Sequence, residues 1–400
     1  MKIHIDHGEA TLSGIERLSS DNAAEFEQEM LKLTDDVHKV VLDADGLSYI
    51  SSAGLRVLLK LKKKYELSVV NVSTEIFGIF EITGFQEMMP VKLKRRQISV
   101  DGCEMIGRGS RGIVYKIDKD TAVKVFSTGI GLPVVENERE LTKNALIAGV
   151  PAMIPFDICD CGGRLAIVYE LVSGGDYTVV IKENPEKRER IIRDYAVFVK
   201  GLNRIVLPAD RFKSQKAAYL DILKKCSDKL DREEYDRYEG MLQALPDGHC
   251  FVHGDCHMKN IMTSDRGNTI IDLEGCGYGH FILELIAICC DYKLPGLPMF
   301  LGMKDFVVEM TMGFNKAQCL DIWNIFFNEY MEDKKNLQDI DELCTVYAYL
   351  RHTLNALLNP LLAPDFIIDQ MKEYIRKVTS GDLCGYKRLL GEYHAELRNS

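Results

Sequence analysis

The segment Phe251-Val-His-Gly-Asp-Cys-His-Met-Lys-Asn-Ile-Met262, followed by Thr269-Ile-Ile-Asp-Leu-Glu-Gly275, constrains this chain more than any other stretch. Its flanks are apolar and its middle is polar, a pattern that fits short strands around a buried loop. Asp255 and Asn260 stand five residues apart, and Asp272 follows twelve beyond Asn260. In-line phosphoryl transfer requires these residue types. One carboxylate orients an attacking hydroxyl and receives its proton, while an amide oxygen and a second carboxylate hold Mg²⁺, which takes hard oxygen ligands. His253 and His257 could also be read as metal ligands. However, H-x-x-x-H with an Asp between lacks the third ligand and the helical context of a zinc hydrolase.

Upstream lies Ile106-Gly-Arg-Gly-Ser-Arg-Gly-Ile-Val-Tyr115. Glycines at 107, 109 and 112 let backbone come close to a polyphosphate where a Cβ would intrude. Alone, G-x-G-x-x-G also fits a dinucleotide-binding turn, in which the glycines open a helix. Here they lead into Ile113-Val-Tyr-Lys-Ile117, which is β-branched and aromatic, so the expectation is strand, turn, strand. Nine residues beyond Tyr115, Lys124 lies within the apolar strand pattern Ala122-Val-Lys-Val-Phe126, where a phosphate would explain its ammonium. Such a lysine needs a carboxylate from the next helix. Val135–Leu141 offers Glu136, Glu138 and Glu140. Glu140 is the expected partner, with Glu138 next.

The H-G-D-x-x-x-x-N pattern with a following I-D-x-E resembles the aminoglycoside phosphotransferase and choline kinase group of kinase-like enzymes. Eukaryotic-type protein kinases carry H-R-D and D-F-G at those places. The order of Gly-rich loop, Lys, Glu, H-G-D…N and Asp runs correctly over about 170 residues. The resemblance implies an α+β bilobal protein-kinase-like fold, with a β-rich N-lobe over about 97–172 and a mostly helical C-lobe over about 173–400. ATP would lie in the cleft. By the same match Asp255 is the catalytic base, and Asn260 and Asp272 are the Mg²⁺ ligands. Gly107, Gly109, Ser110, Gly112, Lys124 and Glu140 would form the phosphate side. His253 and His257 are supporting residues, His253 by orienting the loop, and Glu274 helps at the metal. Val168-Tyr-Glu-Leu-Val172 fits the inter-lobe hinge, where backbone groups of Glu170 and Val172 would bond adenine. Glu284 stands where the family usually has Asp, and is expected to anchor the catalytic loop.

Residues 1–96 form a separate region of alternating strands and helices. Lys39-Val-Val-Leu-Asp-Ala44 and Val69-Val-Asn-Val72 have buried-strand patterns. Ser51 and Ser52 stand where an N-cap would be, ahead of Ala53-Gly-Leu-Arg-Val-Leu-Leu-Lys-Leu61. Glu75 to Ile82 is a second short helix, and Lys92-Leu-Lys-Arg-Arg-Gln97 reads as a basic linker. Leu42-Asp-Ala-Asp-Gly-Leu-Ser-Tyr-Ile-Ser-Ser-Ala-Gly-Leu-Arg-Val-Leu-Leu59 resembles the signature of STAS domains, the anti-anti-sigma-factor family. Ser13–Phe26 and Phe80-Glu-Ile-Thr-Gly-Phe85 are similar to its first strand-to-helix entry and its last helix. The resemblance implies a small α/β domain without catalytic residues, which regulates or docks through a protein partner. Ser52 matches the serine that is phosphorylated in many members, although Ser51 replaces the usual preceding Asp. A phosphate there would sit at a helix N-terminus, which favours anions. Equally, both serines could simply cap the helix.

Composition narrows the remaining classes. A chain of 400 residues suggests about two or three domains. The net charge of −10 argues against nucleic acid as a partner. The 12 cysteines show no C-x-x-C spacing and read as reduced, small apolar residues. No apolar run approaches the roughly 20 residues of a membrane span, and the N-terminus has no apolar signal core. The expectation is therefore a cytoplasmic ATP- and Mg²⁺-dependent phosphotransferase acting on a hydroxyl of a small molecule. Two other classes remain: a protein serine kinase in a partner-switching circuit, and a non-catalytic nucleotide-sensing module.

Overall fold

The computed structural model describes residues 1–109, 111–300, 305–332 and 335–380. Its chain separates into two compact units, one of residues 1–99 with 158–163, the other of residues 100–157 with 164–400.

The first unit is built on a five-stranded sheet. In order across the sheet, its strands are Lys2–Asp6, Glu9–Ser13, Lys39–Asp43, Glu66–Val72 and Val91–Leu93. The first pair is antiparallel and the others are parallel. Burial alternates residue by residue along Glu9–Ser13 and Lys39–Asp43, as a strand with one face on a core requires. Helices Ala23–Leu31, Ser52–Lys64 and Thr74–Ile82 supply Phe26, Met30, Leu58, Leu61, Ile76 and Phe80 to the same apolar cluster as Leu12, Val40, Leu42 and Val69. Ser51 caps the second helix by accepting from the Gly54 N–H at 3.3 Å, and Ser73 caps the third through Ile76 at 3.4 Å.

The basic run expected to be a linker is strand instead. Lys92 and Leu93 belong to Val91–Leu93, and Arg96–Ile98 pairs in parallel with Cys159–Cys161. Asp160 explains how a basic segment pairs in a sheet, since Arg95 Nε and Gln97 Nε2 lie 3.2 Å and 3.3 Å from its Oδ2.

The second unit begins with antiparallel strands. Gly112–Lys116 pairs with Glu104–Arg108 on one side and with Thr121–Phe126 on the other, and the latter pairs with Arg164–Glu170. Helix Leu132–Ile147 connects within this β-rich part. The remainder is mainly helical, with long elements at Arg188–Leu202, Lys316–Tyr330, Leu337–Leu358 and Asp365–Thr379. This is the β-rich then helical division of a kinase-like fold. Two short antiparallel pairs interrupt the helices, Cys250–Val252 with Gly277–Gly279 and Ile261–Ser264 with Gly267–Ile270. They flank the polar loop 253–260, and the apolar cluster beneath includes Phe251, Val252, Cys256, Met258, Ile261 and Ile270.

Candidate active site

Lys124 projects from the strand Thr121–Phe126, with Val114 and Ile167 as its cross-strand neighbours. Its Nζ lies 2.8 Å from Glu138 Oε1 and 3.5 Å from Asp272 Oδ1. Burial disfavours the ammonium, but Glu138 and Asp272 outweigh it and raise Lys124 above the ordinary lysine value. Glu138 is buried, and the Tyr169 hydroxyl also donates to its Oε1 at 3.0 Å.

The expected pairing of Lys124 with Glu140 is therefore corrected to Glu138. The two side chains are two positions apart on a helix, so they cannot share a face. Glu138 faces the sheet, whereas Glu140 is 48% exposed and pairs with Arg139 and Lys143.

The glycine-rich turn joins Glu104–Arg108 to Gly112–Lys116, with the Gly109 N–H donating to Gly112 O at 2.9 Å. Its glycines are needed for different reasons. A Cβ on Gly112 would stand 2.4 Å from Val125 O, so close strand packing alone demands glycine there. A Cβ on Gly109 would meet nothing within 4 Å among the described residues, and one on Gly107 would only touch Val114 at ordinary contact distance. Ser110 lies outside the described residues. Arg111, which the motif did not single out, places Nη1 3.0 Å from Glu274 Oε2.

The loop 253–260 is held from many sides. Glu284, fully buried on helix Ile282–Ile288, accepts from the His253 N–H at 2.6 Å and the Gly254 N–H at 3.0 Å. Burial pushes its carboxyl pKa up, and these N–H groups and the nearby Arg351 charge favour the ionised form. His253 Nε2 lies 3.0 Å from Ile271 O, a group that can only accept, which assigns the ring proton to Nε2. Nδ1 is then free to accept the Asp255 N–H at 3.2 Å. The Tyr195 hydroxyl donates to Cys256 O at 2.6 Å, and Met258 N–H donates to the Tyr292 hydroxyl at 2.9 Å.

Within this frame the Asp255 side chain remains 55% exposed. Asn260 is buried, and its Nδ2 donates to Asp255 O at 2.8 Å while lying 3.4 Å from Asp255 Oδ2. Asp272 adopts the left-handed conformation (φ 60°, ψ 57°), uncommon for a residue other than glycine and tolerated best by Asn and Asp. Glu274 follows in a short turn, and burial followed by the Asp272 charge raises its pKa. His257 Nε2 is 3.7 Å from Asp255 Oδ2, and burial lowers its pKa, keeping the ring neutral at neutral pH.

At the end of Arg164–Glu170 the Glu170 N–H is already bonded to Ile154 O at 3.0 Å, so that group is committed within the protein. Val172 is the second residue beyond the strand. Ser52, in the other unit, is the exposed first residue of Ser52–Lys64, while Ser51 does the capping.

The structure thus brings together Lys124, Glu138, Asp272 and Glu274, and separately Asp255, Asn260, His253 and His257. Residues 260–272 connect the two sets, since the Ile271 N–H donates to Asn260 O at 2.9 Å. The motifs did not reveal Arg351, whose Nη2 donates to Gly254 O at 2.7 Å. The available signal was one arginine within the apolar helix Tyr347-Ala-Tyr-Leu-Arg-His-Thr-Leu354.

Residues 106–306 match the model of the phosphotransferase enzyme family, and residues 4–98 match that of the STAS domain. The N-terminal region is 38% identical over 92 residues to a Bordetella bronchiseptica protein named as anti-sigma factor antagonist BtrV, covering 22% of this chain and 78% of that protein. Among solved structures, an ADP-bound aminoglycoside phosphotransferase APH(2'')-Ib aligns at TM-score 0.44 and 14% identity, covering 68% of this chain and 90% of that one. A choline/ethanolamine kinase family protein from Mesorhizobium loti aligns at TM-score 0.34 and 16% identity, covering 68% and 92%. The chain belongs to the phosphotransferase enzyme family, and carries a STAS domain ahead of that region.

Proposed function

We propose that this protein transfers the γ-phosphate of Mg²⁺·ATP to a hydroxyl of a small molecule, with Asp255 as general base. The observation that carries this is the position of Lys124, which touches both Glu138 and Asp272, a residue 148 positions away in sequence. A half-buried ammonium between two carboxylates, beside a glycine turn, is suited to receiving phosphate oxygens.

The residues fit a magnesium ion. Asp272 offers a carboxylate. Asn260 uses its amide nitrogen on Asp255 O, which leaves the amide oxygen as the end available to a cation. Burial and then the Asp272 charge raise the Glu274 pKa, and a divalent cation would relieve the second of these. When bound, Mg²⁺ neutralises charge on the phosphates. Lys124 binds and orients them, and Gly107 and Gly109 let the turn approach them. Ser110 and the backbone of Glu170 and Val172 complete the nucleotide site in this proposal. Asp255 takes the acceptor hydroxyl proton as the new O–P bond forms and the bond to the leaving nucleoside diphosphate breaks. His253 and His257 keep the loop in place.

The STAS domain, with its boundary to the kinase region placed near residues 96 and 97, would dock a protein partner or regulate transfer. A second reading is favoured by one observation: Ser52 is exposed at a helix start, in a domain related to an anti-sigma factor antagonist. Transfer could then go to a serine of such a domain. Among the described residues no helix is long and apolar enough to cross a membrane.

The test is labelled ATP, then GTP, with Mg²⁺, on wild type and Asp255→Ala. Acceptors would be aminoglycosides, choline, amino sugars and the isolated N-terminal region. Asp255-dependent labelling of a small acceptor supports the proposal. Labelling of the protein alone replaces it with the second reading. Nucleotide binding without turnover on any acceptor leaves a nucleotide-sensing module.

A further inference from the structure

The polar ends of the peptides on either side of Asp255 are each held by a side chain. The peptide between Asp255 and Cys256 is fixed through Asp255 O, which accepts from Asn260 Nδ2 at 2.8 Å. The peptide between Gly254 and Asp255 is fixed at both ends. Its N–H donates to His253 Nδ1 at 3.2 Å, and its carbonyl accepts from Arg351 Nη2 at 2.7 Å. That carbonyl belongs to Gly254, which sits at φ +78° and, lacking a Cβ, has the widest rotational freedom of any residue in the loop. The peptide plane therefore depends on its polar partners, and the shorter, charge-assisted contact comes from Arg351.

Arg351 is itself held in place. It lies on Leu337–Leu358, a helix remote in sequence from the loop, and its Nη1 donates to the Tyr219 hydroxyl at 2.9 Å. Its guanidinium carbon stands 5.9 Å from the centre of the Tyr219 ring. The charges of Asp255, Asp291 and Glu284 all act on this region together with that of Arg351. Asp291 and Tyr292 belong to a π-helical turn, Cys289–Lys293, a distortion frequent near functional sites.

We propose that Arg351 is a positioning residue for phosphoryl transfer: by bonding the Gly254 carbonyl it fixes the peptide plane that aims the Asp255 carboxylate. The role rests on Asp255 being the general base. Arg351 makes no contact with Lys124 or Asp272 among the described hydrogen bonds and ion pairs, so nucleotide binding should be insensitive to it. Lysine cannot replace it fully, because one ammonium cannot reproduce a planar fork that spans a carbonyl and a hydroxyl.

The experiment measures Mg²⁺·ATP turnover with water as acceptor, and with any small acceptor that stimulates it. The proteins are wild type, Asp255→Ala, Arg351→Ala, Arg351→Lys and Tyr219→Phe, each with its melting temperature. The expected result is a fall in kcat of about 10- to 100-fold in Arg351→Ala, as a misplaced catalytic group produces. KM for ATP stays unchanged, Arg351→Lys is intermediate, and millimolar ethylguanidinium partly restores kcat in Arg351→Ala only. A folded Arg351→Ala with wild-type kcat overturns the role. Should that variant fail to fold, Tyr219→Phe decides, since it preserves volume and charge. A lower kcat at unchanged melting temperature supports the role, and an unchanged kcat overturns it. Turnover that is equal in wild type and Asp255→Ala removes the general-base assignment itself, whatever Arg351 does, and the positioning role with it.

Discussion

The two halves of the site are built in opposite ways. The glycine turn and its first strand are largely open: Glu104, Met105, Ile106 and Arg108 are exposed, and the strand's Gly107 and the turn's Gly109 have no close neighbour that would forbid a side chain. The loop from His253 to Asn260 is packed on apolar residues and bonded to Glu284, Arg351, Tyr195, Tyr292 and Ile271. Phosphate binding tolerates an open turn, because its backbone N–H groups can follow the nucleotide. The proton transfer proposed for Asp255 does not, since a carboxylate displaced by about 1 Å loses much of its rate advantage. The rigid frame around Asp255 suits that proposed role.

The largest expected effect is on the rigid half. Asp255→Ala should lower transfer by about 10²- to 10⁴-fold, the range of a lost general base. Glu284→Gln comes next, because an amide can accept only one of the two N–H groups through its oxygen. Removing one such buried bond should destabilise the fold by about 1–3 kcal/mol, read by denaturant melting, and should lower kcat while leaving KM for ATP near wild type. A variant with unchanged kcat would mean that the loop holds its shape without this anchor.

Substitutions on the open half sharpen the contrast. Gly112→Ala drives a Cβ to 2.4 Å from Val125 O and should cost about 1–3 kcal/mol of stability. Gly109→Ala should leave the melt unchanged and act only on nucleotide affinity. Equal melts for the two would contradict the division drawn above. Glu138→Ala should weaken nucleotide binding by releasing Lys124, whereas Glu140→Ala should fall within about 0.5 kcal/mol of wild type in stability and bind nucleotide normally.

The smallest effect is on pH. Burial lowers His257 and His352 from the ordinary value of 6.5. The unfolded chain therefore binds more protons below about pH 6.5, and stability falls as pH drops through that value. His352→Gln should flatten this slope without changing kcat; an unaltered slope would place the acid sensitivity elsewhere.

Much of this was legible in the sequence for a physical reason. The roles proposed for Asp255, Asn260 and Asp272 rest on side chains presented from one short, continuous segment, so spacing alone conveys their geometry. Lys124 was legible because a charge in an apolar strand needs a partner. The choice between Glu138 and Glu140 was not, since it depends on which helix face meets the sheet, and apolar residues flank neither of them clearly. Gly112 was read with the other glycines as a phosphate contact, yet the neighbouring strand also demands it. Lys92–Gln97 looked like a linker because the compensating Asp160 is far away in sequence. Arg351 was invisible for the same reason: its partner is a backbone carbonyl nearly a hundred residues earlier, as the separation of 97 shows. In the N-terminal unit, alternation and the serine caps gave strands and helices directly. Removing residues 1–96 should leave a second unit with a cooperative melt; aggregation would show that the boundary lies elsewhere.

The most direct test of a rigid catalytic half beside an adaptable binding half is calorimetric titration of Mg²⁺·ATP into Asp255→Ala, paired with single-turnover transfer of labelled phosphate. Wild-type affinity with transfer slowed by about 10²- to 10⁴-fold is the predicted result. Undiminished transfer, or affinity lost together with transfer, would contradict it.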